Sequence, residues 1–255
     1  MHHSTAIISK KAKIGENVSI GPYSIIEDDV EIGDNTEIRA HVHLAGGTRI
    51  GRECKLHTGV VIATEPQDLK FGGEPTLAVV GNRTILREFV TVNRGTRHSG
   101  KTTVGEDCLI MTYCHVAHDC RVGNNVIMAN ATQLGGHVHV DDWANTGGVV
   151  KVHQFCRVGK HAFVGADVKI VKDVPPFTLI GREPAKVEGI NKIGLRRRGF
   201  TPDQIDSIEE FYKLILNSGL NVSDGIKKVI EKGNMTKDVL DCIEFVKSSE
   251  RGIVR

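Results

Sequence analysis

VGEDCLIMTYCHVAHDCRVGNNVIMANATQLGGHVHV, residues 104–140, repeats with a period of six. Every sixth residue from Val104 reads Val104, Ile110, Val116, Val122, Met128, Leu134 and Val140, and the series runs on through Thr146, Val152, Val158 and Val164 to Ile170. Two places before each stands a small or β-branched residue, from Thr102, Cys108, Cys114 and Cys120 to Cys156, Ala162 and Val168. Neither the 3.6-residue period of a helix nor the two-residue period of an extended strand produces this pattern. A hexapeptide repeat does, and such repeats wind into a parallel β-helix in which three short strands make one coil of about 18 residues.

The same beat starts at Ile8 and runs through Ile14, Ile20, Ile26, Ile32, Ile38, Leu44, Ile50 and Leu56 to Ile62. Glycine often follows the aliphatic residue, as at Gly15, Gly21, Gly33 and Gly51. A corner there is expected to use positive φ, which glycine adopts readily. Residues 63–79 and 97–101 interrupt the beat. Insertions in a solenoid leave from one side and often carry a binding surface. The repeat is expected to stop at Asp173-Val174-Pro175-Pro176, because proline cannot donate to a ladder.

Counting by coils locates the histidines. Divided by 18, positions 115, 118, 137 and 153 leave 7, 10, 11 and 9. His115, His118, His137 and His153 thus share one edge of the prism, facing outward at steps of about 4.8 Å. His139 and His161 leave 13 and 17 and fall outside that group.

Beyond the prolines, a connector containing Arg196-Arg197-Arg198 runs to Phe200. Such a run is either a solvated face or an anion clamp. Thr201 and Pro202 then open a helix with Ile205, Ile208, Phe211, Tyr212 and Ile215 on one stripe. Further helices are expected over 223–232 and 237–248. The sequence therefore divides into a β-solenoid, residues 1–186, and a small helical domain, residues 187–255.

Composition fits a thin prism. The 255 residues include 28 Gly but only 8 Phe, 3 Tyr and 1 Trp. With 33 basic and 31 acidic side chains the net charge is +2, which gives no argument for nucleic acid or a charged membrane surface. No apolar run approaches the roughly 18 residues of a membrane span. Met1–Ser9 lacks a signal peptide's apolar stretch, and five of the six Cys fall at the inward small position. Reduced thiols in a cytoplasm are the expectation.

On the histidine edge, an imidazole followed by a carboxylate, His118-Asp119, suits a general base with a fixed tautomer. Gly136, one coil along, leaves room for an open N–H as an oxyanion donor. The repeat's cysteines point inward and no serine nucleophile is evident. Direct acyl transfer without a covalent enzyme intermediate follows from that set. Two other readings stand beside it. Three histidines at ~5 Å steps resemble the zinc site of hexapeptide-repeat carbonic anhydrases of the γ type. A flat-faced binding prism would favour Thr or apolar residues where this chain has His, Asp and Gln.

PQDLKFGGEPT (66–76), NRGT (93–96), HVAHDC (115–120), GGHVHVDD (135–142), VHQFCRVG (152–159), DVPP (173–176) and RRRGF (196–200) together resemble the acyl-[acyl-carrier-protein]–UDP-N-acetylglucosamine O-acyltransferases of the hexapeptide-repeat acyltransferase family, over essentially the whole chain. The related N-acyltransferases carry an extra N-terminal domain, whereas the beat here begins by residue 8. The resemblance implies a left-handed coil, against the right-handed rule for ordinary parallel crossovers. It implies transfer of a 3-hydroxyacyl chain from acyl carrier protein to the glucosamine 3-position of UDP-N-acetylglucosamine or its 3-amino analogue, the first step of lipid A biosynthesis. His118 would be the base, Asp119 its partner and Gly136 the oxyanion donor. Asp68 and Lys70 would bind acceptor sugar and the donor's phosphopantetheine, which is substrate rather than cofactor; no metal is implied. His137, His153 and Gln154 would line the acceptor and acyl pocket. His115, Asn191, Arg197 and Arg198 would hold the nucleotide, and Ala166 would stand at the acyl-length position, where Gly is common. The family is a homotrimer with sites between subunits. Where it commonly has Glu two residues after the connector Asn, this chain has Ile193, preceded by Lys192.

Overall fold

The structure, a computed structural model, describes residues 1–216, 218–233 and 235–255. Short strands, mostly of two residues, stack into three sheets of nine, eight and ten strands, here sheets I, II and III. Ile7 pairs with Ile25 in sheet I, Lys13 with Glu31 in sheet II and Ser19 with Glu37 in sheet III, each 18 residues on. The chain visits the three sheets in turn and closes a left-handed parallel β-helix.

The period of six is one strand plus one turn. His115–Val116 is a strand; Ala117 to Cys120 turn the corner into Arg121–Val122. Val116 and Cys120 point inward and are fully buried. Each large aliphatic side chain so buried stabilises the fold by about 1.5–3 kcal/mol relative to exposure. Polar residues at inward positions find partners: Thr36 Oγ1 donates to the Gly51 carbonyl (3.0 Å), and Thr146, the exception in the aliphatic series, pairs with Thr132 Oγ1 at 2.9 Å. All six cysteines are unpaired and buried.

The glycines after the aliphatic residue do not supply positive φ. That conformation falls two residues later, on Asn17, Tyr23, Asn35 and His41, and on Asp119, His137 and Phe155. A left-handed L-residue costs about 1–2 kcal/mol. Bonds between coils offset this: His137 N–H donates to the His118 carbonyl (3.0 Å) and Phe155 N–H to that of Gly136 (3.1 Å). The glycines serve close approach instead. A Cβ on Gly33 would stand 2.6 Å from the Arg52 nitrogen one coil on, and one on Gly21 2.7 Å from the Arg39 carbonyl carbon.

The first interruption is narrower than the sequence pattern suggests, and the second is wider and begins three residues earlier. Strands Val61–Thr64 and Leu77–Val80 leave a loop over 65–76, and Thr91–Asn93 and Lys101–Val104 leave 94–100. Val61 pairs with Thr91, 30 residues on rather than 18, so this coil is 12 residues longer; Leu77 pairs with Lys101, 24 on, which adds six. The prolines do not end the stack. They lie in the turn before strand Thr178–Gly181, whose Leu179 pairs with Phe163 at a spacing of 16, so that the coil is shortened by two and the ladder resumes.

Strand Lys186–Ile190 then runs antiparallel to Thr178–Gly181. It straddles the two parts of the chain, since Val187 packs on the prism core and Ile190 on the helical core. The connector contains a short helix that the sequence pattern missed, α1 (Lys192–Arg197), capped by the Asn191 side chain. Helices α2 (Pro202–Leu216), α3 (Val222–Lys232) and α4 (Lys237–Lys247) follow. Thr201 and Gln204 form a reciprocal cap at the start of α2, and all five residues of its stripe are buried. The helices cover the end of the prism: Tyr212 donates to the Pro176 carbonyl (2.7 Å), and Arg157 lies 4.1 Å over the Phe245 ring. Chain end and prism also join, with Val254 N–H on the Asp173 carbonyl at 2.8 Å.

This packing makes one position especially sensitive. Gly33→Ala places a methyl against rigid backbone and is expected to destabilise by about 1–3 kcal/mol. Chemical denaturation should show a lower midpoint without a change in the folded far-UV spectrum.

Candidate active site

One chain offers three prism edges, and the expected site residues are divided among them. Edge I/II, the turns from sheet I to sheet II, carries His118, Asp119, Gly136, His137, His153 and Gln154. Counting by coils placed His118, His137 and His153 on this edge and was off for His115. His115 stands on the adjoining strand of sheet I.

Asp119 takes the left-handed conformation of its turn, and its side chain is 0% exposed. Its Oδ2 accepts from His118 Nδ1 at 2.8 Å and from Thr96 Oγ1 at 2.8 Å. Its Oδ1 accepts from Thr96 N–H (3.0 Å), Ser99 N–H (3.2 Å) and Ser99 Oγ. Burial alone would raise the Asp119 pKa. The bonds from Ser99, His118 and Thr96 outweigh that and hold the carboxyl well below the usual carboxylate range. An ionised carboxylate only accepts, so His118 Nδ1 carries the proton and Nε2 keeps its lone pair.

His118 is only 12% exposed at its side chain. Gly136 lies against its ring: a Cβ there would meet His118 Nε2 at 2.7 Å. Among the described residues the Gly136 N–H has no hydrogen-bond acceptor. A lone pair and an unpaired N–H thus sit side by side.

His137 packs edge-on against His118 (5.1 Å between centroids) and stacks on Phe155 at 4.4 Å. Burial lowers its pKa, partly offset by the Asp119 charge. Asp68, which coil arithmetic could not place, lies near enough for its charge to act on His137. Lys70 is exposed, and its N–H binds Asp68 Oδ1 at 3.0 Å. His115 donates to or accepts from Thr91 Oγ1 at 2.7 Å; burial, then the His118 charge, lowers its pKa. His153 is exposed, with Nδ1 3.0 Å from the Gln154 carbonyl, and so does not join His118 and His137 in the three-histidine ligand set of the zinc reading. Ligand-capable atoms of His118, Asp119 and His137 do lie within 4.8 Å of one another. Both Asp119 oxygens are already filled by hydrogen bonds, which makes this a hydrogen-bonded group rather than a ligand set.

Three features escaped the sequence reading. His98 stands edge-on to His137 at 4.7 Å, and Ser99 and Thr96 hold Asp119. His139, off the edge on sheet II, nevertheless walls the same cleft of about 760 Å³, with His98, Ser99, Asp119, His137 and Phe155. The only signal for His98 and Ser99 was the interrupted beat at RHSGK, and Thr96 ends the NRGT segment just before it. Glu74 binds the two insertions together, accepting from Arg97 N–H (3.0 Å) and Gly72 N–H (2.8 Å).

Edge II/III carries a second cluster. Arg198 donates to His161 Nδ1 (3.1 Å) and lies 5.2 Å over Trp143; Asn191 Nδ2 donates to the His161 carbonyl (3.0 Å). Arg197 and Ile193 are exposed, and Lys192 pairs with Glu209 at 2.8 Å. Ala166 is exposed on edge III/I. Within one chain, therefore, Asn191, Arg198 and Ala166 are not brought to the His118 edge, whereas His115, His137, His153 and Gln154 lie on or beside it.

Comparison with known proteins gives a consistent result. Residues 173–254 match the family described as Udp N-acetylglucosamine O-acyltransferase, domain 2, and residues 11–46 and 101–136 match the bacterial transferase hexapeptide repeat. Acyl-[acyl-carrier-protein]–UDP-N-acetylglucosamine O-acyltransferase from Thermodesulfovibrio yellowstonii is 42% identical over 99% of this chain and 98% of its own length. Its counterpart from Herminiimonas arsenicoxydans is 41% identical with the same coverage. The crystal structure of the Bacteroides fragilis UDP-N-acetylglucosamine acyltransferase superimposes with a TM-score of 0.98 at 43% identity, covering 100% of both chains. The Francisella novicida enzyme gives 0.97 at 37%, covering 100% of this chain and 94% of its own. None of these relatives is a carbonic anhydrase, and the zinc-enzyme reading is withdrawn.

Burial, together with Arg198 and Lys160, pushes the His161 pKa down to about 4. Neutral His161 accepts from Arg198; the folded chain resists protonation there while the unfolded chain takes the proton near 6.5. The stability this gives is present above about 6.5 and is lost as pH falls towards about 4. Trp143, the single tryptophan, stacks on His161 at 6.1 Å. Its fluorescence should titrate with a midpoint near 4, and His161→Gln should abolish that transition.

Proposed function

From the premise that the chain belongs to the acyl-[acyl-carrier-protein]–UDP-N-acetylglucosamine O-acyltransferase family, we propose how its own residues carry the reaction. The chain is an acyltransferase, taking an acyl group from acyl carrier protein to UDP-N-acetylglucosamine. The observation that carries the mechanism is the buried Asp119 carboxylate on His118 Nδ1, beside the unpaired Gly136 N–H.

His118 Nε2 removes the proton from the glucosamine 3-position as that oxygen, or a nitrogen in a 3-amino acceptor, attacks the thioester carbonyl carbon. Charge builds on the carbonyl oxygen, where the Gly136 N–H donates. Asp119 keeps the imidazole in its productive tautomer and stabilises the imidazolium that forms. Collapse breaks the carbon–sulfur bond, and the imidazolium returns its proton to the departing thiolate. Acylated sugar nucleotide and free thiol result, with no covalent enzyme intermediate. A 3-hydroxyacyl donor is our reading of the chain transferred. No step calls for a metal or a cofactor. The six buried unpaired thiols support a cytoplasmic setting.

Assembly follows from the three edges. Asn191 and Arg198 belong to edge II/III and Ala166 to edge III/I, so a neighbouring chain must bring them to His118. Closed threefold symmetry does this with one repeated contact, in which sheet III of one chain faces sheet I of the next. We therefore propose a homotrimer with its sites in the clefts.

His118→Ala should lower kcat by about 10²–10⁴, the usual contribution of a general base, while the melting midpoint stays within a few degrees. Retention of more than about a tenth of wild-type kcat would put the base elsewhere. In Asp119→Asn the imidazolium loses its counter-charge, so the acid limb of kcat/KM should move to lower pH. An unmoved limb would break the dyad. Light scattering on an active sample dialysed against a strong chelator should report a particle of three 27.8 kDa chains. An active monomer, or activity restored only by zinc, would overturn the assembly or the metal-free reading.

A further inference from the structure

The interrupted segment at RHSGK does more than bridge two strands. Gly100 N–H closes a tight turn on the Thr96 carbonyl at 2.8 Å, and His98 N–H binds Thr96 Oγ1 at 3.2 Å. The turn wraps the Asp119 carboxylate. Thr96 supplies an N–H to Oδ1 and a hydroxyl to Oδ2; Ser99 supplies both its N–H and its hydroxyl to Oδ1. Thr102 Oγ1 accepts from the Asp119 N–H at 2.8 Å. The carboxylate charge is therefore divided between the loop, mostly through Oδ1, and the His118 imidazole through Oδ2.

Ser99 is the adjustable member. Its Oγ also lies 2.8 Å from the Lys101 carbonyl, and a hydroxyl has one proton to give. The ionised carboxylate is the stronger acceptor and takes it. We propose that Ser99 is a positioning residue that sets the basicity of His118: its hydroxyl draws carboxylate charge away from the imidazole. The proposal rests on the reading of His118 and Asp119 as the reacting dyad.

The sign follows from hydrogen-bond competition. Each donor on a carboxylate favours its ionised form and lowers its basicity. Without the Ser99 hydroxyl more negative charge resides on Oδ2, opposite His118 Nδ1, and the imidazolium is better stabilised. The base then holds its proton to a higher pH. This is opposite in direction to removing the Asp119 charge itself. Other groups around His118 are His115 on the adjoining strand and His137 from the next coil, with His98 and Asp68 acting on His137. No hydrogen bond links any of these to the Ser99 hydroxyl, so the substitution addresses the carboxylate alone. Ser99 is half-buried in a loop, and its backbone N–H remains in any variant.

The test uses the full-length assembled protein with isotope-labelled histidine, the His118 resonance being assigned by its loss in His118→Ala. In Ser99→Ala the His118 titration midpoint should rise by about half to one unit, and the acid limb of kcat/KM should rise with it. In Ser99→Thr, which restores the hydroxyl, both should return to the wild-type position. Ser99→Cys, a weak donor, should fall between and serves if the alanine variant folds poorly. An imidazole titration unmoved in Ser99→Ala and Ser99→Cys overturns the proposal and leaves Ser99 as loop filler. A moved titration with an unmoved kinetic limb supports the coupling while removing His118 from the role of base.

Discussion

Everything in this molecule depends on the backbone ladder between coils. A two-residue strand is far too short to persist alone, and the left-handed L-residue found in most turns is unfavourable on its own. The ladder holds both, because each coil presents carbonyls at the spacing the next coil's N–H groups require. The turn bond from His137 N–H to the His118 carbonyl is one of these rungs, and it also brings the two imidazoles together at 5.1 Å. The interaction that makes the solenoid stable is thus the one that sets the distance between site residues.

That constraint explains what was legible in the sequence. Counting by six survived both insertions because they lengthen their coils by 12 and by six residues, so the inward series from Ile8 to Ile170 kept its beat. Counting by 18 did not survive them. It placed His118, Gly136 and His137, which lie beyond both loops, and could not place Asp68, which lies inside one. The glycines show a subtler failure. A glycine at a regular corner position suggests positive φ, but the turn assigns that conformation two residues later, to Asp, His, Tyr and Phe, and uses glycine where neighbouring coils touch.

Loop chemistry lay beyond periodicity altogether. Thr96, His98 and Ser99 belong to no repeat, and only the folded path of 94–100 shows that they close over Asp119. The family resemblance supplied Asn191, Arg198 and Ala166 but not their separation onto other edges. Asn191 and Arg198 also prove to be partners of His161 and Trp143 within their own chain, so a site built between chains would receive them already oriented.

A division of labour follows. The repeat is a rigid ruler: its inward residues are buried, its turns are held by backbone bonds, and outward side chains repeat at fixed steps. Rigidity places a histidine well but gives it little electrostatic context, since an outward turn residue of a regular prism faces water. At the His118–Asp119 turn, where a carboxylate stays ionised while buried, the donors come from a break in the repeat. The two breaks are themselves joined through Glu74, so the loop that holds Asp119 and the loop that carries Asp68 form one unit on the ruler. A substitution in either loop should therefore be felt at the imidazole without disturbing the coils beneath, because the connection runs through hydrogen bonds to Asp119 and Glu74 rather than through the core.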